Sequence, residues 1–132
     1  MALPNGAGGY QVGDGNLNEV NMGVQAAPPT ATATATLTTA QITGGILLGS
    51  PGSSAAAYTL PTGSSLDSAV SSAKVNSSFD FSIINIGGTN TATVVAGTGW
   101  TLVGVVTVLA LVLSSWRAVK TGDGTWSAYR LA

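Results

Sequence analysis

The stretch Tyr58-Thr-Leu-Pro-Thr-Gly63, Ser64-Ser-Leu-Asp-Ser-Ala-Val-Ser-Ser-Ala-Lys74, Val75-Asn-Ser-Ser-Phe-Asp-Phe-Ser-Ile-Ile-Asn85 reads as strand, short helix, strand. Pro61-Thr-Gly63 ends the first strand, because proline cannot donate to a ladder and glycine tolerates left-handed dihedrals. Ser64 is placed to cap the helix, with Asp67 three residues on in capping-box position. Leu66, Ala69, Val70 and Ala73 fall on one helical face. Asp67 in the first turn and Lys74 at the end each suit the helix dipole. Phe79, Phe81 and Ile83 alternate with Asp80 and Ser82, the period of a strand with one buried face. From Ile83 to Ile86 both parities are apolar except Asn85, which predicts a passage into an interior covered on both sides.

Outward from this stretch the chain continues to read as strands. Upstream, Thr30-Ala-Thr-Ala-Thr-Ala-Thr36-Leu37 alternates β-branched Thr with small Ala and predicts a strand. Thr38–Ile42 reads as a turn or single helical turn ended by Gly44-Gly45, and Ile46–Leu48 as a short apolar strand. Downstream, Gly87-Gly-Thr-Asn90 reads as a hairpin turn into Thr91–Ala96, and Gly97-Thr-Gly99 turns again into Trp100–Val103. The run Leu102–Leu113 is the most apolar, is too short for a membrane helix of about 20 residues, and reads as core strands. Leu109, Leu111 and Leu113 share a parity with Ser115 and Arg117, so a bend or bulge is expected near Leu113–Ser115.

Thr121-Gly-Asp-Gly124 closes a last hairpin in one of two registers. A loop of Asp123-Gly124 would set Arg117 opposite Arg130, an unfavourable like-charge pair. A type II′ loop of Gly122-Asp123 would set Val119 opposite Trp126 and Trp116 opposite Tyr129, and is preferred. Eight strands are thus expected, at 31–37, 46–49, 55–60, 79–86, 91–96, 100–107, 109–119 and 125–131. They predict an all-β fold, an antiparallel β-sandwich of jelly-roll-like form with one short helix.

Residues 1–29 read as an extended N-terminal arm, and 30–132 as the sandwich domain. Gly6, Gly8, Gly9, Gly13, Gly15 and Gly23 make a helix costly in the arm. Tyr10, Val12, Leu17, Val20, Met22 and Val24 are nevertheless apolar, so the arm carries anchors, expected to pack on a partner surface, with folding back over its own sheet as the alternative. Extended, its residues span up to about 100 Å. Ala26-Ala-Pro28-Pro29 is a stiff hinge into the domain. Asp14-Gly-Asn16-Leu-Asn18-Glu19 starts like a calcium loop, but Glu19 stands where the loop needs Gly and Gln25 where it needs a bidentate Glu. A polar turn is the simpler reading.

Composition narrows the function. The 132 residues contain no Cys and no His. Disulfides, thiolate zinc sites, thiol nucleophiles and imidazole bases are therefore excluded. Four basic and five acidic side chains give a net charge of −1, too few for a nucleic-acid footprint. They also leave little to hold copies apart, so association is expected. The segment Met1–Tyr10 lacks the basic start and apolar core of a signal peptide. Gly-x-Ser-x-Gly is missing, and Gly87-Gly88 and Gly97-Thr-Gly99 fit no dinucleotide or P-loop pattern. No enzyme activity, cofactor or metal is expected.

Tyr-Thr-Leu-Pro-Thr-Gly, the Leu-Asp helix, Lys74-Val-Asn76 and Phe-Asp-Phe-Ser-Ile-Ile-Asn together resemble a β-rich module of tailed-bacteriophage virion structural proteins, head decoration (cement) proteins in particular. The resemblance covers about Ala31–Leu131, with a Gly-rich lead-in, and carries no catalytic signature. It implies a homotrimer on the capsid exterior that binds the major capsid protein across subunit junctions, with neither nucleic acid nor membrane as partner. Tyr10, Val12, Leu17, Val20 and Met22 would then be capsid-contact residues. Two other readings stand beside it. One is a glycan-recognition module of a tail fibre or adhesin, with Trp126, or a Trp116–Tyr129 platform, at an exposed site. The other is a minor tail or neck subunit.

Overall fold

The computed structural model describes residues 23–132. The anchors Tyr10, Val12, Leu17, Val20 and Met22, and the calcium-like stretch Asp14–Glu19, lie outside the described residues. In chain order the elements are β1 (Thr30–Ala31), β2 (Ala35–Thr36), α1 (Thr39–Thr43), β3 (Ile46–Gly49), β4 (Ala56–Thr59), α2 (Gly63–Ala69), β5 (Ser78–Asn85), β6 (Ala92–Val95), β7 (Trp100–Val103), β8 (Thr107–Val108), β9 (Leu113–Gly122) and β10 (Thr125–Arg130).

The strands form two sheets, ordered β1-β3-β5-β9-β10-β7 and β2-β4-β6-β8. Through β6 the chain steps from one sheet to the other at every strand. Each strand lies parallel to the one before it in its own sheet. The result is three turns of a two-sheet coil. β8 then closes the second sheet antiparallel to β6. β9 runs antiparallel to β5 and turns back as β10, and β7 lies parallel on the outer side of β10.

The all-β expectation stands, but the wholly antiparallel, jelly-roll-like pairing is corrected: five of the eight strand pairings are parallel. The physical reason lies in the connections. A Gly- or Pro-rich corner that crosses to the opposite sheet has the same composition as a hairpin that returns within its own. Gly87–Asn90 is such a corner, carrying the chain from β5 in one sheet to β6 in the other. The Thr-Ala repeat splits likewise. Its ends join different sheets, and only Ala31 and the following Leu37 are buried.

The inner faces of both sheets share one core. Leu47, Phe81, Ile83, Trp116 and Trp126 come from the larger sheet and Tyr58, Val94 and Val108 from the smaller. Phe81 stacks on its cross-strand partner Trp116 at 6.5 Å and 10°. Trp126 packs beside its register partner Trp100 at 6.0 Å and takes the Phe79 ring edge-on at 5.8 Å. Asn85, the one polar exception in the Ile83–Ile86 run, is fully buried and satisfied. Its amide nitrogen donates to the carbonyls of Asn90 and Val108, both at 3.0 Å, and its oxygen accepts from the Gly87 N–H at 2.9 Å. Asn85 thus ties β5 to β8 across the two sheets. Ile84 is half-buried and Ile86 exposed, so the double-sided interior ends there.

The helix is shorter than its pattern. Thr62, not Ser64, is the N-cap, accepting from the Ser65 N–H, and α2 ends at Ala69, so Lys74 lies beyond it. The last hairpin takes neither expected register. Gly122 opposes Thr125, and a shift between Thr125 and Trp126 then sets Lys120 opposite Trp126 and Arg117 opposite Tyr129. Gly124 has a left-handed φ of 68°, as in a G1 bulge. The bulge keeps Arg117 away from Arg130, which is the physical problem that the type II′ register was chosen to avoid.

Candidate functional site

Charged side chains are few enough to account for individually. Asp67 projects from α2 toward the last hairpin. Its carboxylate accepts from the Gly124 N–H, from Trp126 Nε1 at 2.9 Å and from Lys120 Nζ at 3.2 Å. The Gly124 N–H foremost, with the Trp126 indole and the Lys120 ammonium, holds Asp67 below the usual carboxylate range against the opposing effect of burial. Lys120 also donates to the Ala73 carbonyl at 3.3 Å and is nearly buried. Each of these contacts favours the ionised carboxylate. The cluster is a clasp between helix and hairpin.

Asp80 and Arg117 are directly opposed on β5 and β9 and pair through two hydrogen bonds of 2.8 and 3.1 Å on the exposed face. The guanidinium lowers the Asp80 pKa, and the carboxylate raises that of Arg117. Arg130 points into the backbone, its Nη1 donating to the Val105 and Thr107 carbonyls at 2.8 Å each and its Nε to Ala132 O at 3.0 Å. Among the described residues no three Asp, Glu, His or Cys side chains converge as metal ligands.

The surface around that Arg130 anchor is apolar. Val105, Leu109, Leu111, Leu113 and Leu131 are exposed, Leu111 at 73% and Val105 at 67%. Between the β7–β8 loop, the β8–β9 loop and the C-terminal residues lies a cleft of about 500 Å³, lined by Val105, Leu109, Val112, Arg130 and Leu131. The β8–β9 loop is a tight turn closed by Val112 N–H on the Leu109 carbonyl at 3.1 Å. Leu111 at its tip has a φ of 62°, a conformation that leucine rarely adopts. The expectation of core strands over Leu102–Leu113 is therefore corrected: within that run only Val108 is buried. The apolar run leaves the core at the sheet edge and turns outward, and the break falls at Ala110-Leu111, ahead of the expected Leu113–Ser115. The parity slip at Leu109, Leu111 and Leu113 was the signal: an uninterrupted apolar run that changes register does not keep every residue inside.

The aromatic platform is also corrected. Trp116 is 0% exposed and Trp126 1% exposed. Trp116 opposes Arg130 rather than Tyr129, and Trp126 is held between Trp100 and Phe79. Of the residues proposed for a glycan site only Tyr129 reaches the surface. No helix of the described residues is long and apolar enough to cross a membrane.

No protein-family model, curated protein or solved structure matches this chain. Functional inference therefore rests on its own residues.

Proposed function

We propose that this chain is a structural protein of the tailed-phage virion, a head decoration protein that binds the outer surface of the major capsid protein across subunit junctions as a homotrimer. The observation that carries the reading is the exposed leucine and valine surface around the Arg130 cleft. An exposed apolar surface on a chain with only nine charged side chains marks a protein-binding surface. The resemblance of Tyr58–Asn85 to virion modules supplies the class of partner. Mechanistically the protein acts as a clamp. A coil with a shared core holds the patch rigid, and the patch covers a seam between shell subunits. The arm anchors Tyr10, Val12, Leu17, Val20 and Met22 add contact area, and many copies multiply modest contacts. No bond is made or broken in this role, and it needs no cofactor.

The glycan-recognition alternative loses its main support with Trp116 and Trp126 inside the core. The test is co-sedimentation with undecorated heads. The full chain is expected to load and to raise the heads' unfolding temperature, whereas Leu109→Asp/Leu111→Asp folds and fails to load. Deletion of residues 1–25 is expected to weaken loading. Full loading by the aspartate variant would end the reading of the patch.

A further inference from the structure

Trp126, Ala128 and Arg130 share one parity of β10. The first two are buried in the core, and Arg130 is half-buried where the strand ends. From there its guanidinium crosses to the smaller sheet, where Nη1 takes the carbonyls of Val105 and Thr107. The Val106 carbonyl between them points the other way and accepts from the Val94 N–H of β6 at 2.9 Å. Arg130 therefore occupies the side of β8 that pairs with no strand among the described residues. Gly104, with a φ of 114°, lies so close that a Cβ there would stand 2.8 Å from the Arg130 Cβ.

These contacts use the donors of Arg130 but not its charge. Arg117 pairs with Asp80 and Lys120 with Asp67, whereas no acid among the described residues pairs with Arg130. Asp123 lies in the hairpin at the opposite end of β10. Nε is spent on the Ala132 carbonyl and both N–H of Nη1 on Val105 and Thr107, which leaves the two N–H of Nη2. They are reachable from outside, because every buried side-chain nitrogen among the described residues has a partner. Tying two sheets together requires donors but no net charge, and a cation among apolar side chains is costly without a counter-charge. Here the apolar side chains are Val105, Leu109, Val112 and Leu131, which with Arg130 line the cleft of about 500 Å³, the size of a ligand site.

We infer, resting on the reading of this surface as the one that meets the shell, that the cleft takes an extended segment of the partner protein presenting a carboxylate between apolar side chains. The carboxylate accepts from Arg130 Nη2, and the apolar side chains lie against Leu109, Val112 and Leu131. An acid without apolar neighbours would leave the walls wet, and an apolar segment without an acid would desolvate the guanidinium uncompensated. Only the combination answers both. Among the described residues the chain's own acids do not offer it: Asp67 and Asp80 are engaged, and Asp123 stands between Gly122 and Gly124.

The experiment follows methyl chemical shifts of the isolated full chain titrated with acetyl-Leu-Val-Glu-Leu-amide and with the same peptide carrying Gln for Glu. The Glu peptide is expected to shift the methyls of Leu109, Val112 and Leu131 and to bind at least about fivefold more tightly than the Gln peptide at low salt. That advantage should shrink in about 0.5 M salt. Arg130→Gln keeps donors but not the charge and should lose the preference, while Arg130→Lys should retain part of it. Tryptophan fluorescence reports that each variant is folded, and the peptide comparison on the parent stands without them. Equal binding of the two peptides by the parent, or binding of neither, overturns the inference. Self-association that Arg130→Gln abolishes, with no peptide preference, would overturn it in favour of an acid from a second copy. Head loading separates this result from the decoration role. If Leu109→Asp/Leu111→Asp fails to load while Arg130→Gln loads as the parent does, the patch stands and the carboxylate falls. Failure of the parent to load ends the decoration role and leaves the peptides to decide the chemistry of the cleft.

Discussion

At the scale of single residues, the most consequential side chains are buried donors with fixed acceptors. Trp116 donates its indole N–H to Ser114 at 3.0 Å beneath the stacked Phe81 ring. Trp116→Ala is expected to cost about 3–5 kcal/mol, read from urea midpoints. Tyr58 is fully buried and its hydroxyl donates to the carbonyls of Ala31 at 3.0 Å and Thr32 at 3.1 Å, pinning the first turn of the coil to the second. Tyr58→Phe should cost about 1 kcal/mol, with the loss concentrated in exchange protection at the first turn. Burial pushes the Tyr58 phenol up, partly offset by the Ser50 backbone. Its folded value lies above its unfolded one, so this contribution is complete below about pH 10 and is lost as pH rises through the folded pKa. Asp67 has the opposite sign. Its pKa is depressed in the fold, so its contribution is present above the unfolded value of about 3.9 and is lost as pH falls through the folded one. Asp67→Asn should be less stable at pH 7 and show a shallower acid loss than the parent, in thermal melts from pH 7 down to pH 2. The clasp was not legible beforehand: Asp67 satisfied the pattern of a capping box, and only the approach of Gly124, Trp126 and Lys120 gave it another task.

At the scale of elements, the β8–β9 loop sets two demands against each other. Leu111 holds a left-handed φ that costs a leucine about 1–2 kcal/mol, and it is the most exposed leucine of the patch. Leu111→Gly relieves that strain, so its melting temperature should equal or exceed the parent's while head loading falls. A stable variant that loads fully would show that the loop tip makes no contact. Gly97 presents the reverse case, since a Cβ there would run into the Leu60 carbonyl. Gly97→Ala should therefore destabilise the corner between β6 and β7 in denaturant unfolding. Element existence was largely legible, because Phe79, Phe81 and Ile83 or Ala92 and Val94 keep a strict period. Ends were less so: Thr62 capped the helix because it stands before Gly63, and Ser64 lies one residue inside.

At the scale of the whole molecule, parallel coiling and antiparallel closure give one core, and the patch lies at an edge of that frame. Leu109→Ser/Leu111→Ser/Leu131→Ser is expected to leave the unfolding midpoint within about 0.5 kcal/mol per site, as surface changes do. It should also reduce self-association in sedimentation velocity. A large loss of stability would mean that these leucines pack inside after all. The sequence alone determined the all-β content, the absence of thiol and imidazole chemistry and the scarcity of charge, because composition and period are local properties of the chain. Only the tertiary structure decided which sheet each strand joins, that Trp116 and Trp126 face inward, and that Leu109–Leu113 faces out. Each of those outcomes depends on the direction in which a corner sends the chain, and a corner's residues are the same for either direction.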